Sequence, residues 1–256
     1  MAVAGIDVGS LSAEVVIMES GKVLAAVIVP TGSNSRTAAE RAMKEALALS
    51  NLRMEDLTAL IATGYGRINV PFTAERVTEI TCHARGAHFW DPNVHTVIDI
   101  GGQDSKVIRL NDKGGVVDFA MNDKCAAGTG RFLEVMAQAL EVELDQLAVL
   151  SAGATRTVKI SSMCTVFAES EVVSLIAEGL PREDIARGLH QSIADRTAGL
   201  AKRVGLEEKV MITGGVAKNR ALVRALEEKL QTAIIIPLDD PQIAGALGAA
   251  LIAAEI

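Results

Sequence analysis

Two segments of the chain share one pattern of apolar and polar positions. Each begins with a short apolar run that ends in aspartate, turns through glycine and returns as an alternating strand. The segments are GIDVGSLSAEVVIME, from Gly5, and VIDIGGQDSKVIRLN, from Val97. Asp7 aligns with Asp99, and Gly9 aligns with Gly101. One such hairpin would be weak evidence, but two indicate an internal duplication. We therefore predict an α/β protein of two similar lobes with a cleft between their turns.

The remaining periodicity predicts further helices and strands. Helical patterns cover 37–50, 75–87, 132–140, 143–151, 166–178, 184–204, 220–230 and 242–254. Short strands are predicted at 57–62, 157–160, 209–213 and 234–237, and 114–121 should form a hairpin with the strand before it. No low-complexity linker divides the chain. We predict an N-terminal lobe over 1–94, with a final helix at about 242–256 packing back on it, and a C-terminal lobe over 95–241.

Composition narrows the classes of function. The chain has 256 residues and a net charge of −7, which disfavours nucleic acid as a partner. It contains no run of about 20 apolar residues, as a membrane span requires. Its first residues lack the pattern of a signal peptide, so we expect a cytoplasmic protein. In that compartment the three cysteines, Cys82, Cys125 and Cys164, are expected as free thiols or metal ligands rather than disulfides.

The two glycine turns predict a phosphate site. Backbone N–H groups in such turns bind anions, and an aspartate beside each turn can hold Mg²⁺ through water. The amide of Gln103 suits the orientation of an attacking water. We predict Asp7, Asp99 and Gln103 as catalytic residues; the alternative is that both aspartates only cap turns. The phosphate-binding candidates are Gly9, Ser10, Leu11, Ser12, Ala13, Gly101 and Gly102.

A third glycine turn, in MITGGVAKN, predicts an adenosine site. Gly214 and Gly215 would let the backbone approach a ribose or a flat ring closely, with Asn219 beside them. The turn is neither a GxGxxG fingerprint nor a Walker A loop. Gln242, at the start of the final helix, is predicted to contact ribose or adenine, with helix capping as the alternative. Gly128, Thr129 and Gly130 should lie near the phosphates if the second turn opens into the cleft.

Two cysteines stand where helices are predicted to begin. Cys125 precedes AAGTGRFLEVMA, and Cys164 precedes TVFAESEV. The unpaired N–H groups of a helix start favour a thiolate, which is a metal ligand. Two thiolates do not complete a four-ligand site, whereas a symmetric dimer would supply four. On spacing alone, two buried structural thiols remain the alternative. Cys82, on a helix, is predicted to be buried.

The order of the three loops resembles that of the superfamily of sugar kinases, heat-shock chaperones and actin. The resemblance covers nearly the whole chain. It implies two duplicated ribonuclease-H-like lobes that close around ATP.

A closer resemblance rests on GIDVGS, ATGYGR, NVHTVIDIGGQDSKVI, MNDKCAAGTGRFLEVMA, SSMCTVFAESEV, TGGVAKN and GALGAAL. Together these motifs resemble the activators of 2-hydroxyacyl-CoA dehydratases, a family that includes the ATPase subunits of benzoyl-CoA reductase. The resemblance implies a homodimer in which Cys125 and Cys164 of both subunits bind one shared [4Fe–4S] cluster, with ATP or ADP and Mg²⁺ as the other cofactors.

The same resemblance implies a function. ATP binding and hydrolysis would be coupled to one-electron transfer from ferredoxin or flavodoxin to a partner, either a 2-hydroxyacyl-CoA dehydratase or a related double-cubane-cluster reductase. The first turn departs from the family pattern, because Leu11 and Glu14 replace a small hydroxyl residue and a lysine; this bears on the ATPase rate. The competing hypotheses are a small-molecule kinase of the same fold, which leaves the cysteines unexplained, and a nucleotide sensor or assembly factor without enzymatic activity.

Overall fold

The elements of the fold follow in chain order. A computed structural model describes residues 1–72, 75–122, 126–161 and 164–256, so the predicted ligand Cys125 lies outside the described residues. The strands are β1 (Ala2–Val8), β2 (Ser12–Glu19), β3 (Lys22–Pro30), β4 (Leu57–Thr63), β5 (Glu75–Arg76), β6 (Thr96–Ile100), β7 (Ser105–Leu110), β8 (Val116–Asn122), β9 (Val210–Thr213) and β10 (Ile234–Ile235). The helices are α1 (Ser35–Ser50), α2 (Glu79–Trp90), α3 (Gly130–Ala139), α4 (Gln146–Ala152), α5 (Thr165–Ala177), α6 (Arg182–Val204), α7 (Arg220–Leu230) and α8 (Ala244–Ala253).

The strands form two sheets with the same internal order. The first sheet runs β3-β2-β1-β4-β5, and the second runs β8-β7-β6-β9-β10 when read from β8. In the first sheet β1 pairs antiparallel with β2 and parallel with β4. Each strand of one sheet thus has a counterpart in the other, and the two hairpins of the sequence repeat, β1–β2 and β6–β7, occupy equivalent places. The predicted α/β fold with a duplicated architecture is confirmed.

The first sheet is covered on both faces, which explains why β1 reads as a continuous apolar run. Alternate residues point to opposite faces of a strand. Ala4 and Ile6 pack on the alanine-rich face of α1, whereas Val3 packs with Ala246 and Ala250 of α8. The charge-free sequence of α8 therefore reflects burial inside the protein.

Glycines allow α8 to approach its neighbours at backbone distance. A methyl group at Gly5 of β1 would collide with the Ala246 carbonyl, and one at Gly248 of α8 would collide with the Cys82 carbonyl. Gly86 of α2 meets the Ala244 carbonyl in the same way. Small residues on all three elements are thus required for α8 to lie where it does.

The second sheet has a core of its own. Ile98, Ile100 and Val107 pack with residues of α3, α6 and α7, among them Phe132, the largest apolar side chain of that core. Helix α6 brings Ile185, Leu189 and Ile193 to the same cluster at helical spacing.

The chain divides into two compact units. One comprises Met1–Val97, Ile108–Phe119 and Pro237–Ile256, and the other comprises Ile98–Val107 and Ala120–Ile236. Throughout the described ranges, the helices are too short or too polar to cross a membrane.

Two predicted elements are wrong. The segment 157–160 is not a strand: the Val158 N–H donates to the Asp184 carbonyl over 3.5 Å, and its own carbonyl lies against Gly188, so it lies along α6 rather than in a sheet. The predicted helix 75–87 begins late. Its first residues form β5 beside β4, and Thr78 caps the helix by accepting from the Thr81 N–H.

We expect Gly248→Ala to lower the free energy of unfolding by about 2 kcal/mol, because the collision with the Cys82 carbonyl outweighs the gain in helix propensity. The matched control is Gly199→Ala in α6, where an added methyl group meets open space. That variant should be more stable than wild type by about 0.5–1 kcal/mol. Urea unfolding of both variants measures the contrast, and equal shifts would contradict the proposed packing of α8.

Candidate functional site

The first predicted phosphate turn joins β1 to β2 and is held by the sheet. The Gly9 N–H donates to the Ser12 carbonyl over 2.8 Å and closes the turn. Thr31, directly after β3, donates from its hydroxyl to the Gly9 carbonyl and from its N–H to the Leu11 carbonyl, each over 2.9 Å. Ser10 and Leu11 are half-buried at the tip. A turn fixed in this way keeps its backbone geometry without a ligand.

Asp7 is buried at the end of β1 and has close neighbours from three elements. His83 of α2 places Nε2 3.8 Å from Asp7 Oδ2. A methyl group at Gly64, after β4, or at Gly245, in the first turn of α8, would collide with the Asp7 carboxylate. The carboxylate therefore lies at the N-terminal end of α8, where the helix dipole favours a negative charge.

Gln242 lies against the first turn. Its Nε2 donates to Ser12 Oγ over 2.8 Å and to Glu14 Oε1 over 2.9 Å. Its N–H donates to Asp240 Oδ1 over 3.0 Å, at the start of a short 3₁₀ turn before α8. Ala13, between the two residues that Gln242 contacts, is buried on β2. Gln242 thus connects the start of α8 to the phosphate turn, and its predicted contact with ribose or adenine stays a prediction.

The second turn is built on a buried ion pair. Lys106 Nζ donates to Asp99 Oδ2 over 3.0 Å and to Asp104 Oδ1 over 2.8 Å. Thr213 Oγ1 donates to Asp99 Oδ1 over 3.0 Å. The Gly101 N–H donates to the Asp104 carbonyl over 3.0 Å, as Gly9 does to Ser12 in the first turn. Gln103 is exposed at the tip of this turn.

The start of α3 is bonded directly to the second turn. The Gly130 N–H donates to the Gly101 carbonyl and the Arg131 N–H donates to the Gly102 carbonyl, each over 2.9 Å. Two N–H groups that a helix start leaves unpaired are therefore satisfied by the turn. Thr129 is buried, and its hydroxyl donates to the Ala126 carbonyl over 2.5 Å. The structure brings the predicted residues Gly101, Gly102, Thr129 and Gly130 together.

The third turn follows β9 and lies beside the end of the neighbouring strand β6. Gly214 has φ +85°, a conformation that favours glycine, and a methyl group there would collide with the Ile100 carbonyl. Gly215 begins a 3₁₀ turn that leads to Asn219, the N-cap of α7. Asn219 and Gly214 therefore stand at the two ends of one short connection between β9 and α7.

The Asn219 side chain is held in one orientation. Its Oδ1 accepts from the Leu222 N–H over 3.0 Å, so its Nδ2 donates to His190 Nε2 over 2.9 Å. This bond requires a neutral histidine whose Nε2 accepts. Burial favours that form and lowers the pKa of His190 to about 4.

The two described cysteines lie in opposite environments. Cys164 is exposed and is the N-cap of α5. Glu171 accepts from the Ser161 N–H over 2.9 Å and from its hydroxyl over 2.8 Å, and so holds the chain shortly before Cys164. Cys82 is buried as predicted, and burial raises its pKa to about 12. Of these two cysteines, only Cys164 is therefore suited to bind a metal. Among the described residues, no three His, Cys, Asp or Glu side chains are grouped as a metal site.

Thr213 is a residue beside the second turn that the motifs did not indicate. Lys106, which the sequence left open as a phosphate neighbour or a surface charge, is buried beside the same turn. The sequence held a signal for Thr213, because β4 ends in Ala-Thr-Gly at Thr63 and β9 ends in Ile-Thr-Gly at Thr213. Extending the repeat to these strands would have placed both threonines beside the aspartate turns. For Lys106 the repeat is misleading, since its counterpart is Glu14 and the charge is reversed.

The two sheets of equal strand order, each with a buried aspartate and a glycine turn at the end of its central strand, define a duplicated α/β fold of the sugar-kinase type. A ROK family glucokinase from Streptomyces griseus, solved with glucose and AMPPNP, shares this fold with a TM-score of 0.60 at 14% identity, and the match covers 100% of both chains.

Closer relatives identify the family. The model of the BadF/BadG/BcrA/BcrD ATPase family matches residues 4–253, and the chain belongs to that family. The activator of lactoyl-CoA dehydratase from Anaerotignum propionicum is 53% identical over 252 residues, which are 98% of this chain and 96% of the relative. The activator of the 2-hydroxyisocaproyl-CoA dehydratase from Clostridium difficile, solved with bound ADPNP, has a TM-score of 0.94 at 44% identity, covering 100% of this chain and 95% of the other.

We expect acid to destabilise the protein through His190. Its pKa is lower in the folded protein, about 4, than the ordinary value of about 6.5, so the unfolded chain takes up the proton first as the pH falls. The free energy of unfolding is therefore unaffected by the titration of His190 above about pH 6.5. Between about pH 6.5 and pH 4 it decreases by roughly 3 kcal/mol because of this group. His190→Gln, which keeps an acceptor for Asn219 but does not titrate, should lack this component. Urea unfolding from pH 7 to 4 measures it, and identical pH profiles for the two proteins would contradict the assignment.

Proposed function

We propose that this protein is an ATP-dependent activator that passes single electrons from ferredoxin or flavodoxin to a partner enzyme in the cytoplasm. The partner is a 2-hydroxyacyl-CoA dehydratase or a related double-cubane-cluster reductase. Membership of the BadF/BadG/BcrA/BcrD ATPase family supports this proposal, as does the 53% identity to an activator of lactoyl-CoA dehydratase.

The nucleotide is proposed to bind through the three glycine turns. Gly9–Ala13 and Gly101–Gly102 would hold the phosphates, and Gly214, Gly215 and Asn219 would hold the adenosine. Mg²⁺ would lie near Asp7, whose carboxylate faces the first turn of α8. The fixed geometry of the turns supports this site. The first two turns are closed by backbone hydrogen bonds, and the third packs closely against β6. Gln103, which is exposed at the tip of the second turn, would orient a water.

Two backbone hydrogen bonds between α3 and the second turn are the observation that supports a coupling between ATP and the proposed cluster. The Gly130 and Arg131 N–H groups donate to carbonyls of Gly101 and Gly102. Cys125 stands shortly before Gly130 in the sequence. A shift of the second turn on nucleotide binding or hydrolysis would therefore move the start of α3 and the segment that carries Cys125.

Cys164 fits the role of a cluster ligand. Its thiol is exposed at the start of α5, where helix N–H groups favour a thiolate, and Glu171 holds the preceding chain. A shared cluster needs thiols that a second subunit can reach, which excludes the buried Cys82. With Cys125, each subunit would give two of four ligands. The bound [4Fe–4S] cluster would supply one-electron chemistry.

The apolar surface of α5 supports a homodimer around Cys164. Val166, Phe167 and Val173 are each more than half exposed, while Ala168 and Val172 face the core. A helix that is apolar on both sides is buried when the assembly is complete. Helices α3 and α5, which follow Cys125 and Cys164 in the sequence, also pack against each other.

We expect the protein, purified without oxygen, to contain about two irons per chain in a dimer, as one shared [4Fe–4S] cluster requires. Cys164→Ser should lose the iron. Cys82→Ala is the matched control and should keep it, because Cys82 is buried away from the surface. Iron and sulfide assays with the mass in solution measure this.

An iron-free monomer that still binds ATP after attempted cluster reconstitution would contradict the activator proposal. Phosphorylation of a small acceptor would then favour the kinase of the same fold. Loss of iron from Cys82→Ala as well would show that the assay reports on folding rather than on ligation.

We expect Phe167→Asp to shift the protein from dimer to monomer, because it places a charge in the apolar surface of α5. Residue 167 lies in the first turn of that helix, where an acid is favourable, so the helix itself should persist. Val149→Asp in α4, where Val149 is 76% exposed, is the control and should remain a dimer. Light scattering or sedimentation measures both masses, and a dimeric Phe167→Asp would place the interface elsewhere.

A further inference from the structure

A buried carboxylate joins two of the proposed nucleotide turns. Asp99 Oδ2 accepts from Lys106, and Asp99 Oδ1 accepts from Thr213, each over 3.0 Å. The three residues are at most 2% exposed. Hydrogen bonds to a charged group are strong, and a low local dielectric strengthens them further.

Lys106 holds the phosphate side of this network. Besides Asp99, it donates to Asp104 Oδ1 over 2.8 Å, and the Asp104 carbonyl closes the turn by accepting from Gly101. The turn so closed carries Gln103 at its tip. The geometry of Gln103 thus depends on the position of the Lys106 ammonium group between the two carboxylates.

Thr213 holds the adenosine side. It is the last residue of β9 and directly precedes Gly214 and Gly215. A methyl group at Gly214 would lie 2.8 Å from Asp99 Oδ1, so the turn touches the same carboxylate that the threonine hydroxyl contacts. A displacement of this turn by a bound nucleoside would pull on Asp99.

The first unit carries different residues at the matching positions. Thr63 and Gly64 match Thr213 and Gly214, but Glu14 stands where the second unit has Lys106, and it pairs in register with Asp7. Glu14 accepts from Gln242 instead. The cation at this position is therefore a property of the second turn.

We infer that Lys106, Asp99 and Thr213 are positioning residues that couple the adenosine turn at Gly214 to the phosphate turn carrying Gln103. This inference rests on the proposed nucleotide-binding function. It implies that occupancy of the adenosine turn sets the geometry of the hydrolytic turn. Removing the hydroxyl of Thr213 should then slow hydrolysis, although Thr213 is not part of the turn that carries Gln103.

The test is Thr213→Val, which removes the donor and keeps the shape of the side chain. The kcat and KM for ATP hydrolysis and the Kd for ADP are measured on the cluster-loaded dimer, well below its unfolding temperature. We expect kcat to fall about tenfold, the change that loss of one hydrogen bond to a charged group produces. Thr213→Ser, which restores the hydroxyl, should return kcat to within about twofold of wild type. The remaining difference reflects the packing lost with the threonine methyl group. Thr197→Val, which removes the hydroxyl of a buried threonine in α6 outside the three turns, should leave kcat unchanged.

Three results would overturn the inference. The kcat of Thr213→Val could equal that of wild type and of Thr197→Val, so that only KM or thermal stability changes. Thr213→Ser could fail to restore kcat, which would point to packing rather than to the hydrogen bond. A wild-type protein that neither binds nor hydrolyses ATP would remove the proposed function, and the inference with it; wild-type turnover distinguishes that case from the other two.

Discussion

A charged carboxylate at the end of a buried central strand is the constraint on which both units depend. Asp7 is the last but one residue of β1, Asp99 is the last but one residue of β6, and the chain turns shortly after each. Burying a carboxylate is unfavourable unless hydrogen bonds, a cation or a helix dipole compensates. The elements around each turn supply this compensation, and in doing so they contact the turn that follows the aspartate.

The two units solve this problem differently. Asp99 is paired with Lys106 of the neighbouring strand and with Thr213. Asp7 has His83 nearby and lies at the start of α8, which approaches it through Gly245. Duplication therefore conserved the strand order and the glycine turns, while the charges beside the aspartates diverged.

Much of the fold was predictable because its signals are local. Strand alternation, the Asp–x–Gly turns and the helical spacing each arise from neighbouring residues, and they located the repeat. The wrong elements show where local pattern is insufficient. The segment 157–160 has the composition of a strand, but it lies along α6 and contacts that helix instead of a sheet. The first residues of the predicted helix at 75–87 pair with β4 instead, since an open edge of the first sheet was available.

The sequence by itself determined the architecture, the three turns and the environment expected for Cys82, because each depends on residue type and short-range spacing. The tertiary structure alone decided which distant groups meet. It brought Thr213 to Asp99, Gln242 to Ser12 and the start of α3 to the carbonyls of Gly101 and Gly102. These contacts join residues far apart in the chain, and they depend on how closely helices and strands approach. That approach is set by glycines packed at backbone distance, which no periodicity of the sequence records.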